Sequence, residues 1–224
     1  MGMRPIQLVP GEFYHVYNRG TDKRLLFRDA TDYQRFLKLL YISNSATPIN
    51  VRNILRKNEN PYSFERGGSL VSIGAYCLMP NHFHISITPS VPDGISLFMK
   101  KLCTGYSMYF NKRYNRTGTL LEGPFKSKWA DDDVYLKYLY AYIHLNPIKL
   151  HSIAGSVGEM DNVEILAFLR SYSWSSLLDY LEVQRPENAI IDPTPFPDYF
   201  TGSADHIVEL KEWLTYKAEI ESRP

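Results

Sequence analysis

Two short stretches of this chain carry side chains that could do chemistry together. His82-Phe83-His84 sets two imidazoles two residues apart. On a β-strand such residues share a face, so the pair offers two neighbouring nitrogen donors to a divalent cation. The same pattern also suits two polar residues on an exposed strand. Tyr142-Ile143-His144-Leu145-Asn146-Pro147 sets a phenol and a carboxamide four residues apart, on one side of a helix. A deprotonated or polarised phenol is a nucleophile. An amide oxygen is a hard ligand of the kind Mg²⁺ or Mn²⁺ accepts. Read alone, Tyr142 could equally pack in a core and Asn146 could simply end a helix. Arg19, in Asn18-Arg19-Gly20, has the forked donors that grip a phosphate, or it belongs to a turn. His144 lies two residues from Tyr142, faces elsewhere on the helix and reads as structural.

The elements around these residues must position them. Phe13 to Asn18 predicts a strand, with His15 on it. Tyr33, Phe36, Leu37, Leu40 and Tyr41 recur at helical spacing behind a cap at Asp29 or Thr31. Ser43 to Gly68 reads mostly as loop. Ser69 to Leu78 and His82 to Thr88 predict a hairpin closed by Pro80-Asn81. Gly94 to Arg113 predicts a helix, and Phe125 to Ala130 a short strand. Asp131, Asp132 and Asp133 open a helix by matching its dipole, and Pro147 should end it by driving Asn146 out of the α region. Short helices are expected over 174–182 and 205–220. The order β-α-β-β-α-β matches a ferredoxin-like antiparallel sheet with helices on one face. The tyrosine-bearing helix follows the last strand, and a helical extension completes an α+β chain. Residues 1–150 read as a catalytic domain and 151–224 as an acidic C-terminal extension packed on or near it.

The 224 residues carry 25 Lys and Arg against 24 Asp and Glu, a net charge of +1. That balance hides an asymmetry of +9 over residues 1–150 and −8 over residues 151–224. A basic body with an acidic end points to a polyanionic partner, and the acidic end is a candidate gate over a basic groove. From Phe98 to Ala130, Lys100, Lys101, Lys112, Arg113, Arg116, Lys126 and Lys128 interleave with Tyr106, Tyr109, Phe110, Tyr114, Phe125 and Trp129. Cations that track phosphates and rings that stack on bases suit single-stranded nucleic acid. A solvated helix face with its aromatics in the core has the same composition. Cys77 and Cys103 are too few for a disulfide framework. No apolar run is long enough to span a bilayer, and the first ten residues lack a signal-peptide core, so a cytoplasmic location is expected.

In combination, these stretches resemble the single-tyrosine HUH nuclease and transposase family, and within it the REP-associated tyrosine transposases. Met79-Pro80-Asn81-His82-Phe83-His84 is similar to the HUH segment, with Phe83 as its bulky apolar residue. Tyr142 to Pro147 is similar to the tyrosine helix. Phe13 to Gly20, Phe27 to Phe36, Gly118 to Ser127 and Tyr172 to Ser176 resemble flanking segments, over residues 5–182 in all. Pro124 departs from the pattern, which has an Arg there. The resemblance implies that His82, His84 and Asn146 hold Mg²⁺ or Mn²⁺. It implies that Tyr142 attacks single-stranded DNA beside a hairpin, REP-like element, forming a 5′-phosphotyrosine. Arg19, Lys100, Lys101, Lys112, Arg113, Lys126 and Lys128 would contact DNA, and His15 would support the histidine pair. A monomer or a homodimer is compatible with it. The alternatives are a catalytically silent DNA-binding protein of the same fold and another HUH nickase, of the replication-initiator or relaxase type. A Mn²⁺- or Zn²⁺-binding protein unrelated to DNA is the remaining reading.

Overall fold

The computed structural model describes residues 8–57, 60–153, 161–199 and 202–221. Four strands, β1 (Phe13–Arg19), β2 (Val71–Met79), β3 (His82–Pro89) and β4 (Lys126–Ala130), form one sheet in the order β2-β3-β1-β4. Every pairing is antiparallel. This is the ferredoxin-like arrangement expected from the element order. Helices α1 (Ala30–Ser43) and α3 (Gly94–Arg113) join the strands in that pattern. A short α2 (Val51–Lys57) and a 3₁₀ turn at Pro61–Ser63 interrupt the stretch expected to be loop, of which Asn58 and Glu59 lie outside the described residues.

Strand alternation splits the sheet into two unlike faces. Tyr14, Val16, Ile73, Tyr76, Leu78, Phe83, Ile85 and Ile87 point one way, into an apolar core shared with Phe36, Leu40, Phe98, Leu102, Tyr106 and Phe110 of α1 and α3. That core anchors the strands and leaves the other face for function. Asp29 caps α1, its carboxylate accepting from the Thr31 and Asp32 amides at 2.9 and 3.2 Å.

Helix α4 (Asp133–Leu145) covers the second face, through Leu136, Leu139, Tyr140 and Ile143 against Ala75, Cys77 and Met79. Asp132 caps it, accepting from the Tyr135 amide at 2.6 Å. Gly74, at an irregularity in the β2–β3 register, lets this helix approach. A Cβ there would run into the Tyr140 hydroxyl and the Phe196 ring. Helix α4 ends at Leu145, beside the stop that Pro147 predicts, but Asn146 is not driven out of the α region (φ −53°, ψ −38°), and the chain turns directly into α5 (Ile148–Ile153). The Asn146 side-chain amide donates to the Tyr142 carbonyl at 2.8 Å, supplying the bond that a well-formed next turn would make with its backbone and offsetting the strain before proline.

The C-terminal elements are α6 (Asn162–Ser171), α7 (Leu177–Tyr180), a 3₁₀ turn at Pro186–Ile190 and α8 (Ser203–Glu221). The expected helix over 174–182 is confined to α7, and α6 has no counterpart in the predicted elements. Segment 174–176 runs along the edge of β2. The Leu78 amide donates to the Trp174 carbonyl at 2.9 Å, and the Ser176 amide donates to the Tyr76 carbonyl at 3.0 Å. An exposed strand edge invites foreign pairing, and this segment closes it. Arg185 locks the segment from outside, pairing with buried Asp179 at 2.6 Å and donating to the Ser173 and Ser175 carbonyls. Among the described residues no helix is long and apolar enough to cross a membrane.

Candidate active site

The second face of the sheet is polar where α4 leaves it uncovered. Cross-strand register lines up Arg19 with His82, Tyr17 with both His84 and Lys126, and His15 with both Ser86 and Lys128. Partners in register share a face, so the two histidines of β3 meet side chains from β1 and β4. A cavity of about 310 Å³ opens there. His82, His84 and Tyr142 line it together with Tyr17, Arg19, Lys126 and Lys149. The His82 and His84 rings lie 5.0 Å apart, and the Tyr142 ring is 5.4 Å from that of His84. Sheet and helix therefore bring the predicted imidazoles and phenol into one cavity.

The orientation of each imidazole is fixed from behind. Pro80-Asn81 forms the two-residue hairpin turn, and the Asn81 side-chain oxygen lies 2.7 Å from His82 Nδ1. An oxygen acceptor there puts the proton on Nδ1 and leaves Nε2 with its lone pair. His15 Nε2 lies 2.8 Å from His84 Nδ1, which holds the second ring by the same atom. Among the described residues neither Nε2 has a hydrogen-bond partner. Burial, reinforced by the charges of Lys149 and Arg19, lowers His82 to about 4. Burial together with His15, His82 and Lys149 lowers His84 to about 2. Burial and Lys128 lower His15 to about 4. All three imidazoles are neutral at pH 7, the form that binds metal.

Tyr142 titrates above its ordinary value because it is half-buried; the Asn146 amide pulls it down, and the neighbouring phenols of Tyr138, Tyr135 and Tyr17 push it up. The Lys149 ammonium sits 4.9 Å from the Tyr142 ring centre. Tyr140 is packed in the core at 2% exposure, and Tyr138 packs against Trp213, the rings tilted and their centres 4.5 Å apart. Tyr142 is thus the phenol of this helix that faces the histidines.

Asn146 does not line the cavity. It is 1% exposed, and its side-chain oxygen accepts from Lys149 Nζ at 2.9 Å. No cluster of three or more His, Cys, Asp or Glu with metal-binding placement occurs among the described residues. The donor set is therefore two imidazoles, with an amide available once Lys149 releases it. Two neutral, back-bonded imidazoles with free Nε2 atoms fit a divalent cation.

The predicted DNA contacts divide. Lys126 is exposed in the cavity wall, and Lys128 lies 3.9 Å from the Tyr135 ring centre on the same face. Arg19 lines the cavity but is paired with Glu122, Nη2 to Oε1 at 2.9 Å. Lys100, Lys101, Lys112 and Arg113 belong to α3, across the sheet from the histidines. Two of them have structural partners: Lys101 donates to the Ser45 and Thr47 carbonyls at 2.7 and 3.0 Å, and Arg113 bonds Asp29 and fully buried Asp32 at 2.7 and 2.8 Å. The interleaved aromatics are mostly core: Tyr106 and Phe110 are buried, and Tyr109 and Tyr114 donate to Asp32. As far as Arg113 the basic–aromatic run belongs to α3, and its last cations, Lys126 and Lys128, stand on β4. No described residue beyond Lys149 lines the cavity, so the described part of the acidic end does not cover it. Lys149, Glu122, Asn81 and Lys23 were not singled out by spacing, because they reach the cavity from separate turns and from α5.

No protein-family model matches the chain, and no curated protein matches it. Among solved structures it is similar to a REP-associated tyrosine transposase bound to a REP hairpin. That match has a TM-score of 0.52 and 12% identity, covering 84% of this chain and 90% of that one. At this identity the likeness is one of architecture, and it agrees with the sheet order and helix placement above.

Proposed function

We propose that this chain is a metal-dependent single-stranded DNA endonuclease and strand transferase, of the single-tyrosine HUH transposase type. The observation that carries the reading is the convergence of His82, His84 and Tyr142 in one open cavity, with ring centres 5.0 and 5.4 Å apart. The similar solved structure, a transposase bound to a hairpin, supports both the fold and the choice of DNA.

His82 and His84 would hold Mg²⁺ or Mn²⁺, with Asn146 as third protein ligand after its oxygen leaves Lys149. When bound, the cation polarises the scissile phosphate and neutralises charge that develops on its oxygens. The rest is done by the chain. Tyr142 Oη attacks phosphorus, the P–O3′ bond breaks, and the products are a 5′-phosphotyrosine and a strand ending in a 3′-hydroxyl. The phenolic proton leaves Oη to solvent during attack, and the departing O3′ takes up a proton from solvent to become the hydroxyl. Lys149, beside the ring, stabilises the phenolate as it forms. A 3′-hydroxyl attacking the phosphotyrosine reverses the step and joins DNA, so no nucleotide is consumed. The histidine pair with an accessible phenol favours this reading over a catalytically silent binder, which has no use for that constellation.

The test is incubation with Mn²⁺ and a single-stranded oligonucleotide carrying a hairpin from around the chain's own gene. Wild type should form a denaturation-resistant protein–DNA adduct, and Tyr142→Phe should form none. An adduct of equal yield with Tyr142→Phe rules out this nucleophile.

A further inference from the structure

A second cationic cavity adjoins the first. Gly20 to Arg28 wraps the Pro80-Asn81 turn, with the Leu26 and Phe27 amides donating to the Pro80 carbonyl at 2.8 and 3.1 Å. Within this strap Lys23 lines the histidine cavity, whereas the next residue, Arg24, lines a separate cavity of about 240 Å³. Arg24, Leu25, Arg28, Phe110 and Arg116 form its walls.

Three guanidiniums around so small a space repel one another, yet Arg28 and Arg116 have no carboxylate partner among the described ion pairs and Arg24 has only a long, exposed one. Arg28 lies 4.3 Å from the Tyr114 ring centre and 5.5 Å from that of Phe110. Arg116 lies 5.8 Å from the Phe110 centre and donates to the Asn111 side-chain oxygen at 2.8 Å. Arg24 donates to the Thr21 carbonyl at 2.9 Å. Its only acid neighbour among the described ion pairs is Asp22, at 3.6 Å and 85% exposed. Arg19 and Arg113, by contrast, are bonded to Glu122 and to Asp29 and Asp32. The cluster keeps its charge for something that approaches from solvent. Planar guanidiniums stacked on rings are preorganised for phosphate oxygens. Leu25, 50% exposed at the rim, suits a ligand with an apolar part beside its phosphates.

We propose that Arg24, Arg28 and Arg116 form a second phosphate-binding site, which holds the nucleic-acid backbone where the strand leaves the histidine–tyrosine cavity. This rests on the reading of DNA as substrate given above. A strand seated at Tyr142 passes Lys23 and meets the arginines within one turn of the strap. The site positions flanking nucleotides and takes no part in bond breaking.

The experiment is equilibrium binding of the full chain, in EDTA, to a labelled single strand of about 30 nucleotides, from about 50 to 300 mM NaCl. The triple variant Arg24→Gln/Arg28→Gln/Arg116→Gln should bind at least about tenfold more weakly at 100 mM salt. Its plot of log K against log salt should be shallower by about 2, the counterion release of three phosphates. Arg116→Gln alone should remove about one third of that slope, guarding against misfolding of the triple variant. Arg52→Gln, exposed on α2, should keep the wild-type slope. Wild-type affinity and slope in the triple variant would overturn the proposal, as would an equal loss in Arg52→Gln. Inorganic phosphate that lowers wild-type binding to the variant's level at matched ionic strength would instead make this a free-phosphate site and overturn it. A wild type that binds no DNA defeats the underlying reading; a binding wild type with an unaltered triple variant defeats only the second site.

Discussion

The chain contains two imidazole pairs bonded ring to ring at the same 2.8 Å, and they do different work. His84 meets His15 in the sheet, beside the cavity. His144 meets His206 behind α4, where that helix packs against α8. Burial lowers the proton affinity of all four. What separates the pairs is the remaining nitrogen of the inner ring. His144 Nε2 is bonded to Ser176 Oγ at 2.8 Å, so both its nitrogens are spoken for. His84 Nε2 has no such partner and its ring borders the cavity. A neutral imidazole with one nitrogen tied and one open is a ligand; with both tied it is a structural link. Bond length and burial alone would not distinguish them.

The largest expected effects come from deleting the inner ring of each pair. His84→Ala should abolish Mn²⁺ binding, measured by isothermal titration, and with it the protein–DNA adduct, while lowering stability by only about 1 kcal/mol. His144→Ala should do the reverse. It removes the bonds to Ser176 Oγ and His206 Nε2 and leaves a cavity under α8, a cost of about 3 kcal/mol by urea unfolding, while the folded fraction still binds Mn²⁺. Loss of metal binding in a folded His144→Ala protein would erase the distinction between the pairs.

Acid should expose the sealed pair next. His206 is lowered from 6.5 to about 4, chiefly by burial and against a small upward pull from Glu209. A lowered base binds its proton less readily folded than unfolded. The stabilisation is therefore complete above pH 6.5 and is lost as pH falls towards 4. By pH 5 about 2 kcal/mol of the His206 contribution has been lost. Thermal unfolding should fall more steeply with acid in wild type than in His206→Gln. Parallel curves would mean that the pair is solvated.

How far these distinctions were legible in the sequence depends on range. The ferredoxin-like element order, the helix Gly94–Arg113 and a helix cap at Asp29 or Thr31 followed from periodicity and cap chemistry, which are local; the structure chose Asp29. So did the spacing of His82 with His84, because strand alternation fixes their shared side. The bond from His15 to His84 spans strands 69 residues apart; the sequence put His15 on a strand, but only cross-strand register supplies its partner. Arg113 and Lys101 misled because composition counts charges without their partners, and Asp29, Asp32 and two carbonyls are brought to them by tertiary packing. Asn146 stayed helical before Pro147 because its own side chain makes a compensating bond. Arg24 and Arg28 are neighbours on the strap, but Arg116 lies beyond the end of α3, so only tertiary packing brings the three to one cavity.

The smallest effects test how each open nitrogen is aimed. His15 and Asn81 perform the same service for His84 and His82, but in unlike surroundings. His15 is 6% exposed, so no solvent molecule readily replaces it, and His15→Leu leaves a buried His84 Nδ1 unsatisfied and its ring free to turn. Removing an orienting partner of a metal-binding imidazole costs about 10–100-fold in affinity, and His15→Leu should fall in that range for Mn²⁺. Asn81 is half-exposed in its turn, and water can accept the His82 Nδ1 proton in its place. Asn81→Ala should therefore weaken Mn²⁺ by only about threefold, since an exposed hydrogen bond is worth about 0.5–1 kcal/mol. The same titration checks both variants. If Asn81→Ala proves as damaging as His15→Leu, then aim is set at the hairpin turn and burial of the partner is not what matters.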